Sequence, residues 1–233
     1  TTDNDWALLA PSHFRRDPTG WSVDSLVLVG RAAGRMSLRG SFPDRADVAA
    51  RFDASDLPLR DFGELLQSTA PLRGSLALSA ALAGTRDAPI IMLDASLQGA
   101  EMAGVSIEHA TASGRYAAHS LVASLRTLRG KVTALRLDAE IPVDLSLRSV
   151  ARRLLDDEPL RAHLRSDSAG VAGLETLTHE IRRAEGTLAL DITVGGTLRD
   201  PRATGELRVS GGSFDLPGLG TSWRDVDVDI GLL

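Results

Sequence analysis

Two stretches of this chain are copies of one another, and within each copy apolar and polar residues alternate at period two. The first copy runs from Gly74 through Gly84 and Thr85 to Pro89, and the second from Gly186 through Gly196 and Thr197 to Pro201. Each matched pair lies 112 residues apart, and seven of the sixteen aligned positions are identical. The match continues upstream, where residues 56–66 lie over 168–178, and downstream, where Leu97 and Gly99 fall on Val209 and Gly211. A small insertion near Pro217 and Gly218 then shifts the register. Self-similarity of this kind belongs to repeat architectures, in which each unit covers its neighbour.

Leu76, Leu78, Ala80 and Leu82 in the first copy, and Leu188, Leu190, Ile192 and Val194 in the second, occupy every second position. That is strand periodicity with one face apolar. The same pattern runs from Leu135 to Leu147, with Pro142 expected to mark a bend or an edge. Gly-Thr-x-x-x-Pro supplies the turns, because glycine tolerates positive φ and proline denies the next position a ladder donor. Two segments depart from the pattern. Residues 59–68 predict a short helix, and residues 171–183, with Val171, Leu174, Leu177 and Ile181 on one stripe, predict an amphipathic one. Residues 148–160 fit a helical turn or two before Asp156, Asp157, Glu158 and Pro159 stop it.

Apolar faces presented strand after strand must be covered by a second sheet, by closure into a barrel, or by an apolar ligand. Successive repeats with short turns and an aromatic fraction of only 4% favour a stacked array whose apolar faces form one continuous lining. With strands ~4.8 Å apart and on the order of a dozen of them, such an array extends roughly 60 Å.

Composition removes several function classes. With 233 residues the chain is long enough for one large or two small domains, and it has no cysteine, which excludes disulfides, thiol catalysis and thiolate-bound metal. The 26 basic and 31 acidic residues are scattered, without a basic block, so nucleic acid is not an expected partner. No apolar run reaches the length of a membrane-spanning helix, and no signal-peptide pattern opens the chain. It starts at Thr1 without Met and stops directly after an alternating segment, so a longer parent protein is expected.

The remaining candidate groups read as structural. Asp225, Asp227 and Asp229 share one strand face beside Val226, Val228 and Ile230, without the glycine-bearing loop of a calcium site. His13, His109, His119, His163 and His179 are dispersed and suggest neither a zinc site nor a base–nucleophile pair. Asp156, Asp157 and Glu158 lack a partner carboxylate across a cleft. Gly218 and Gly220 lack the remaining parts of a dinucleotide fingerprint. Trp6, Trp21 and Trp223 finish the ends of a core or anchor at an interface, and the sequence leaves both open. No catalytic centre, cofactor or metal is expected.

The run Gly186-Thr-Leu-Ala-Leu-Asp-Ile-Thr-Val-Gly-Gly-Thr197-Leu-Arg-Asp-Pro201, continued through Gly205, Leu207, Gly211 and Phe214, resembles the recurrent G-x-L-x-L-x-x-x-V-x-G-T-L-x-x-P-x-x-x-G-x-L-x-x-x-x-G-x-F motif of the TamB (translocation and assembly module) family, AsmA-like bridge-like lipid transfer proteins. The resemblance is specific over about residues 160–233 and weaker over 52–112, where Arg86 and Asp87 replace the usual Leu-x. It implies a mainly β fold, an elongated β-taco: a U-shaped, repetitive sheet around an apolar groove, with one or two short helices. The corresponding organisation is a β segment at 1–50, a first repeat at 51–160 and a truncated second repeat at 161–233.

Function follows as an expectation from the same resemblance. The chain is a non-enzymatic conduit carrying phospholipid between inner and outer membranes, with acyl chains lying on Leu76, Leu78, Leu82, Leu188, Leu190, Ile192, Val194, Leu207 and Val209. The expected setting is the periplasm of a diderm bacterium, in a protein anchored to the inner membrane and meeting a BamA-like outer-membrane barrel, with all membrane contact outside this fragment. The competing expectation is a scaffold assisting outer-membrane protein or autotransporter assembly by strand pairing. A carbohydrate-active β-helix is a third, and it lacks converging carboxylates.

Overall fold

Alternation carried through almost the whole chain produces one antiparallel sheet. The computed structural model describes residues 6–30, 33–62, 73–102, 105–130, 132–170 and 182–232. Its strands are β1 (Trp6–Leu8), β2 (Phe14–Asp17), β3 (Gly20–Gly30), β4 (Arg35–Pro43), β5 (Ala49–Pro58), β6 (Arg73–Gly84), β7 (Pro89–Met102), β8 (Val105–Ala117), β9 (Ser120–Arg129), β10 (Val132–Pro142), β11 (Arg161–Gly170), β12 (Arg182–Gly196), β13 (Pro201–Leu216) and β14 (Thr221–Leu232). From β3 onward each strand pairs with its neighbours in sequence, β1 and β2 both pair with β3, and the fourteen-stranded sheet does not close. The expected mainly β, taco-like architecture is what the chain adopts, as one open, curled sheet.

The 112-residue repeat is visible in the backbone. Gly84 and Gly196 take φ of +88° and +86°, Gly74 and Gly186 +109° and +128°, and Gly99 and Gly211 +57° and +58°. In the two matching turns the Thr85 hydroxyl accepts from the Ala88 amide at 3.0 Å and the Thr197 hydroxyl from the Asp200 amide at 3.1 Å. Threonine thus closes each turn, and the proline after it begins the return strand, where Gly84 pairs with Pro89 and Gly196 with Pro201.

One sequence expectation is corrected, and two fall largely outside the described residues. The helix expected over 59–68 is a 3-10 helix at Leu59–Phe62, and its remainder lies outside the described residues. Of the helix expected over 171–183, residues 171–181 also lie outside them, while Arg182 and Arg183 open β12. The strand expected to reach Leu147 ends at Pro142, which has no amide to continue the ladder.

Residues 143–160 instead form a strap along the turn-bearing rim. Val143 bridges Leu154, and Pro159 bridges Thr197. The Arg153 guanidinium donates to the carbonyls of Asp144 (3.1 Å), Ser146 (2.6 Å) and Arg148 (3.1 Å), holding the strap's backbone in a loop. Of the helical turn or two expected over 148–160 there is a single turn, closed by the Glu158 amide donating to the Leu155 carbonyl at 3.1 Å. The strap is fixed to the sheet by the Leu145 amide donating to the Tyr116 hydroxyl at 2.9 Å, by the Leu147 amide donating to the Arg86 carbonyl at 2.8 Å, and by the Arg148–Asp87 ion pair.

Curling has a local cause. Register shifts interrupt the pairing at 54/57, 73/75, 133/135, 166/169, 182/187 and 209/214, all on the same side of the sheet's midline, and a seventh, at 23/26, lies on the other side. Asp56, Arg183 and Asp225 adopt positive φ of 52–53° at three of these steps. Each bulge bends its strand and increases twist, so a line of bulges creases the sheet along its length. Most of the buried residues gather there: Ala54, Leu57, Ala100, Ala110, Ser166, Ala184, Ser213 and Asp215. The second packed zone is the strap rim, with Val48, Tyr116, Val143 and Ser146.

Candidate functional site

Cross-strand register decides which side chains share a face. Starting at β1, the pairs connect Leu8, Leu28, Met36, Ala54, Leu78, Ala95, Ala112, Leu125, Leu137, Leu164, Ile192, Gly205 and Leu232 into a single row. No position in it is polar. A parallel row on the same face runs Leu26, Leu38, Phe52, Ala80, Leu93, Gly114, Ala123, Ala139, Ala162, Val194 and Ala203. All nine residues expected to line a groove lie on this face. Leu76, Leu78 and Leu82 pair with Leu97, Ala95 and Ile91, and Leu188, Leu190 and Val194 pair with Val209, Leu207 and Ala203. The two sequence copies therefore contribute to one apolar surface.

Among the described residues no second layer lies over that surface. Each of the nine side chains is only half-buried, and Leu93 on the same face is 39% exposed. A leucine under a second sheet is sealed; these are screened from one side by the curl of the sheet. Along β8, β11 and β13 the apolar face is the screened one, while Thr111, Ser113, Arg161, His163, Arg165, Glu206 and Arg208 on the other face are exposed. Apolar patches beyond a few hundred Å² are uncommon on monomers and mark sites of interaction.

Sequence reasoning missed part of this floor. Leu125, Leu137 and Leu164 join the two copies, and Tyr116, Leu121 and Ile141 continue a further row from Leu82 and Ile91 toward the strap. The alternation of Leu121, Ala123 and Leu125 was the available signal, weakened by the alanine.

The reverse face carries a polar row from β4 to β13, beside a row that includes the exposed Met92 and Val122. Ser37, Asp53, Ser79, Asp94, Ser113, Ser124, Asp138, His163, Thr193 and Thr204 are paired in sequence across it. Two depressions lie on this polar side, of about 610 Å³ between Arg35 and Arg126 and about 790 Å³ between Met92 and Thr193.

Charged groups are held at the margins. The Asp144 carboxyl is kept below its ordinary value by the backbone amide of Ser146 first, 2.8 Å away, then by the Ser146 hydroxyl and the nearby charges of His119 and Arg153. Asp215, buried at the crease, is lowered chiefly by the Ser222 hydroxyl, with the Arg183 ion pair adding. On the polar face Asp53 is lowered first by Arg51 and then by Ser79.

The groups singled out as structural are engaged locally. Asp227 accepts from the Gly211 amide at 2.9 Å, and Asp229 pairs with Arg208 at 2.8 Å. Asp156 and Asp157 pair with Arg152 and Arg199, and His163 meets Asp191 at 2.7 Å. Gly220 caps a 3-10 helix, Pro217–Leu219. Trp21 stacks on Phe42 with ring centroids 4.0 Å apart and Trp223 packs near Phe214, both half-exposed at strand ends. Among the described residues, no group of three or more His, Asp or Glu side chains could hold a metal ion, and no helix is long and apolar enough to cross a membrane.

Comparison with family models, with curated proteins and with solved structures finds no match to this chain.

Proposed function

We propose that this chain is a segment of a non-enzymatic lipid conduit, in which phospholipid acyl chains lie along the apolar floor and move between the inner and outer membranes of a diderm bacterium. The observation that carries the proposal is the unbroken apolar row from Leu8 to Leu232, whose flanking side chains are half-exposed, with no second layer over them among the described residues. Resemblance of the 186–214 run to TamB supports the same reading and supplies its setting: the periplasm, an inner-membrane anchor and a BamA-like barrel partner, each outside this fragment.

Transport on such a floor is passive. Hydrocarbon laid on it is shielded from water at roughly 0.8 kcal/mol per buried methylene. Because the row offers similar apolar contacts at every strand, no single position holds the chain more tightly than the next. Polar headgroups stay at the open side, where water reaches them.

A photo-crosslinker in place of Leu190 or Ile192 is expected to capture phospholipid in cells, and one in place of Thr193 on the reverse face is not. Leu190→Asp or Ile192→Arg is expected to obstruct lipid passage while the protein remains folded. Equal capture from both faces, or unimpaired transport with a charge on the floor, overturns the assignment.

A second reading is a scaffold for nascent outer-membrane proteins, which an open antiparallel sheet also suits. It is distinguished by mass spectrometry of the purified protein, which finds co-purifying phospholipid only under the first reading.

A further inference from the structure

We propose that the polar face carries a separate binding site for an acidic polysaccharide, centred on Arg126, Arg136 and Arg165. These three arginines sit directly opposite one another on β9, β10 and β11. Neighbouring strands are ~4.8 Å apart, so three guanidinium groups of like charge stand side by side, an arrangement that destabilises a sheet unless something neutralises it.

The protein neutralises it only in part. Arg136 is bonded to Asp138 at 2.8 Å, and Arg165 reaches Asp167 at the longer distance of 3.5 Å and lies opposite Asp191, which is itself held by His163 at 2.7 Å. Arg126 is exposed and has no ion-pair partner among the described residues. A free guanidinium fork beside two partly compensated ones is suited to carboxylate, sulfate or phosphate oxygens, which it can bind in pairs.

What adjoins the ladder narrows the ligand further. Arg126 closes one end of the 610 Å³ depression, whose walls carry the hydroxyls of Ser96, Thr111, Ser113 and Ser124. Ser113 and Ser124 lie 2.9 Å apart and leave further donor and acceptor capacity toward solvent. Asp94 lies in the same depression, where it accepts hydroxyls and repels carboxylates. A ligand matching both parts is acidic over the arginines and hydroxylated along the trough, which describes an acidic glycan. An acidic peptide fits less well, because β9 to β11 are interior strands with both edges paired, so no ladder is open to its backbone, and the walls offer hydroxyls in place of apolar anchors.

The test is calorimetric titration of the protein with a short oligogalacturonate, a neutral maltooligosaccharide of equal length, a poly-glutamate peptide and glycerol phosphate, a lipid headgroup without acyl chains for the apolar floor to hold. The expected result is binding of the oligogalacturonate alone, weakened about tenfold in Arg126→Gln and further in Arg126→Gln/Arg165→Gln. Leu190→Asp, on the opposite face, leaves it unchanged, which separates this site from the lipid floor. Removing one of three like charges is expected to hold or raise the melting temperature. A fall in melting temperature for Arg126→Gln, absence of oligogalacturonate binding, or equal binding of any of the other three probes overturns the proposal.

Discussion

The crease and the apolar floor each hold leucine, yet only at the crease is it packed. Leu57, on the crease, is 3% exposed, whereas Leu190, on the floor, is half-exposed although it pairs with another leucine across the strand. The difference does not come from composition. It comes from the bulges, which fold neighbouring strands onto one another at the crease and leave the floor facing outward. Stability and ligand contact are thereby assigned to different lines along one sheet, so a change on the floor can alter what is bound without unfolding the molecule.

The sharpest way to break this comparison is to truncate one leucine in each place. Leu57→Ala is expected to cost about 3 kcal/mol, within the range for emptying a packed site, while Leu190→Ala costs about 1 kcal/mol because water already reaches it. Urea melts of the two variants check this, and equal losses would mean that the floor is packed after all. A smaller effect is expected at the strap. The folded-state pKa of Asp144 is lowered, so its stabilising contribution is present above the ordinary carboxylate range and is lost as pH falls through the folded value. Hydrogen exchange at the Leu145 and Leu147 amides is therefore expected to lose protection in acid before the central strands do, and Asp144→Asn is expected to remove that pH dependence. The smallest effect is expected on the polar face, where Thr193→Val with Thr204→Val changes stability by no more than about 0.5 kcal/mol in the same urea melts, because both side chains are exposed.

Much of this arrangement was legible in the chain. Period-two alternation identified the strands around Leu76–Leu82 and Leu188–Val194, and the Gly-Thr-x-x-x-Pro turns fall where the repeat places them, with their threonine bonds duplicated. Pro142 marked the end of a strand, but the alternation of Val143, Leu145 and Leu147 beyond it misled. Those residues satisfy a strand pattern yet belong to the strap, because the partners that hold them, Tyr116 and Arg86, lie far away in sequence. The crease was hidden for a related reason. Asp56, Arg183 and Asp225 take a backbone conformation usually signalled by glycine. Aspartate visits it more readily than most residues, but the chain has too many aspartates for that to single these two out, and arginine carries no such bias. The arginine ladder was equally invisible, since Arg126, Arg136 and Arg165 meet only through the register of two successive strand pairs.

From β3 onward, strand follows strand in order, and no later strand has to return and complete an earlier pairing. Such wiring makes length an independent variable. Inserting or deleting a hairpin changes the reach by ~10 Å, two inter-strand spacings, and leaves every other pairing as it was. A lineage could thus fit the same device to a wider or narrower gap by duplication alone, and the twin segments 112 residues apart are the kind of trace that such tailoring leaves.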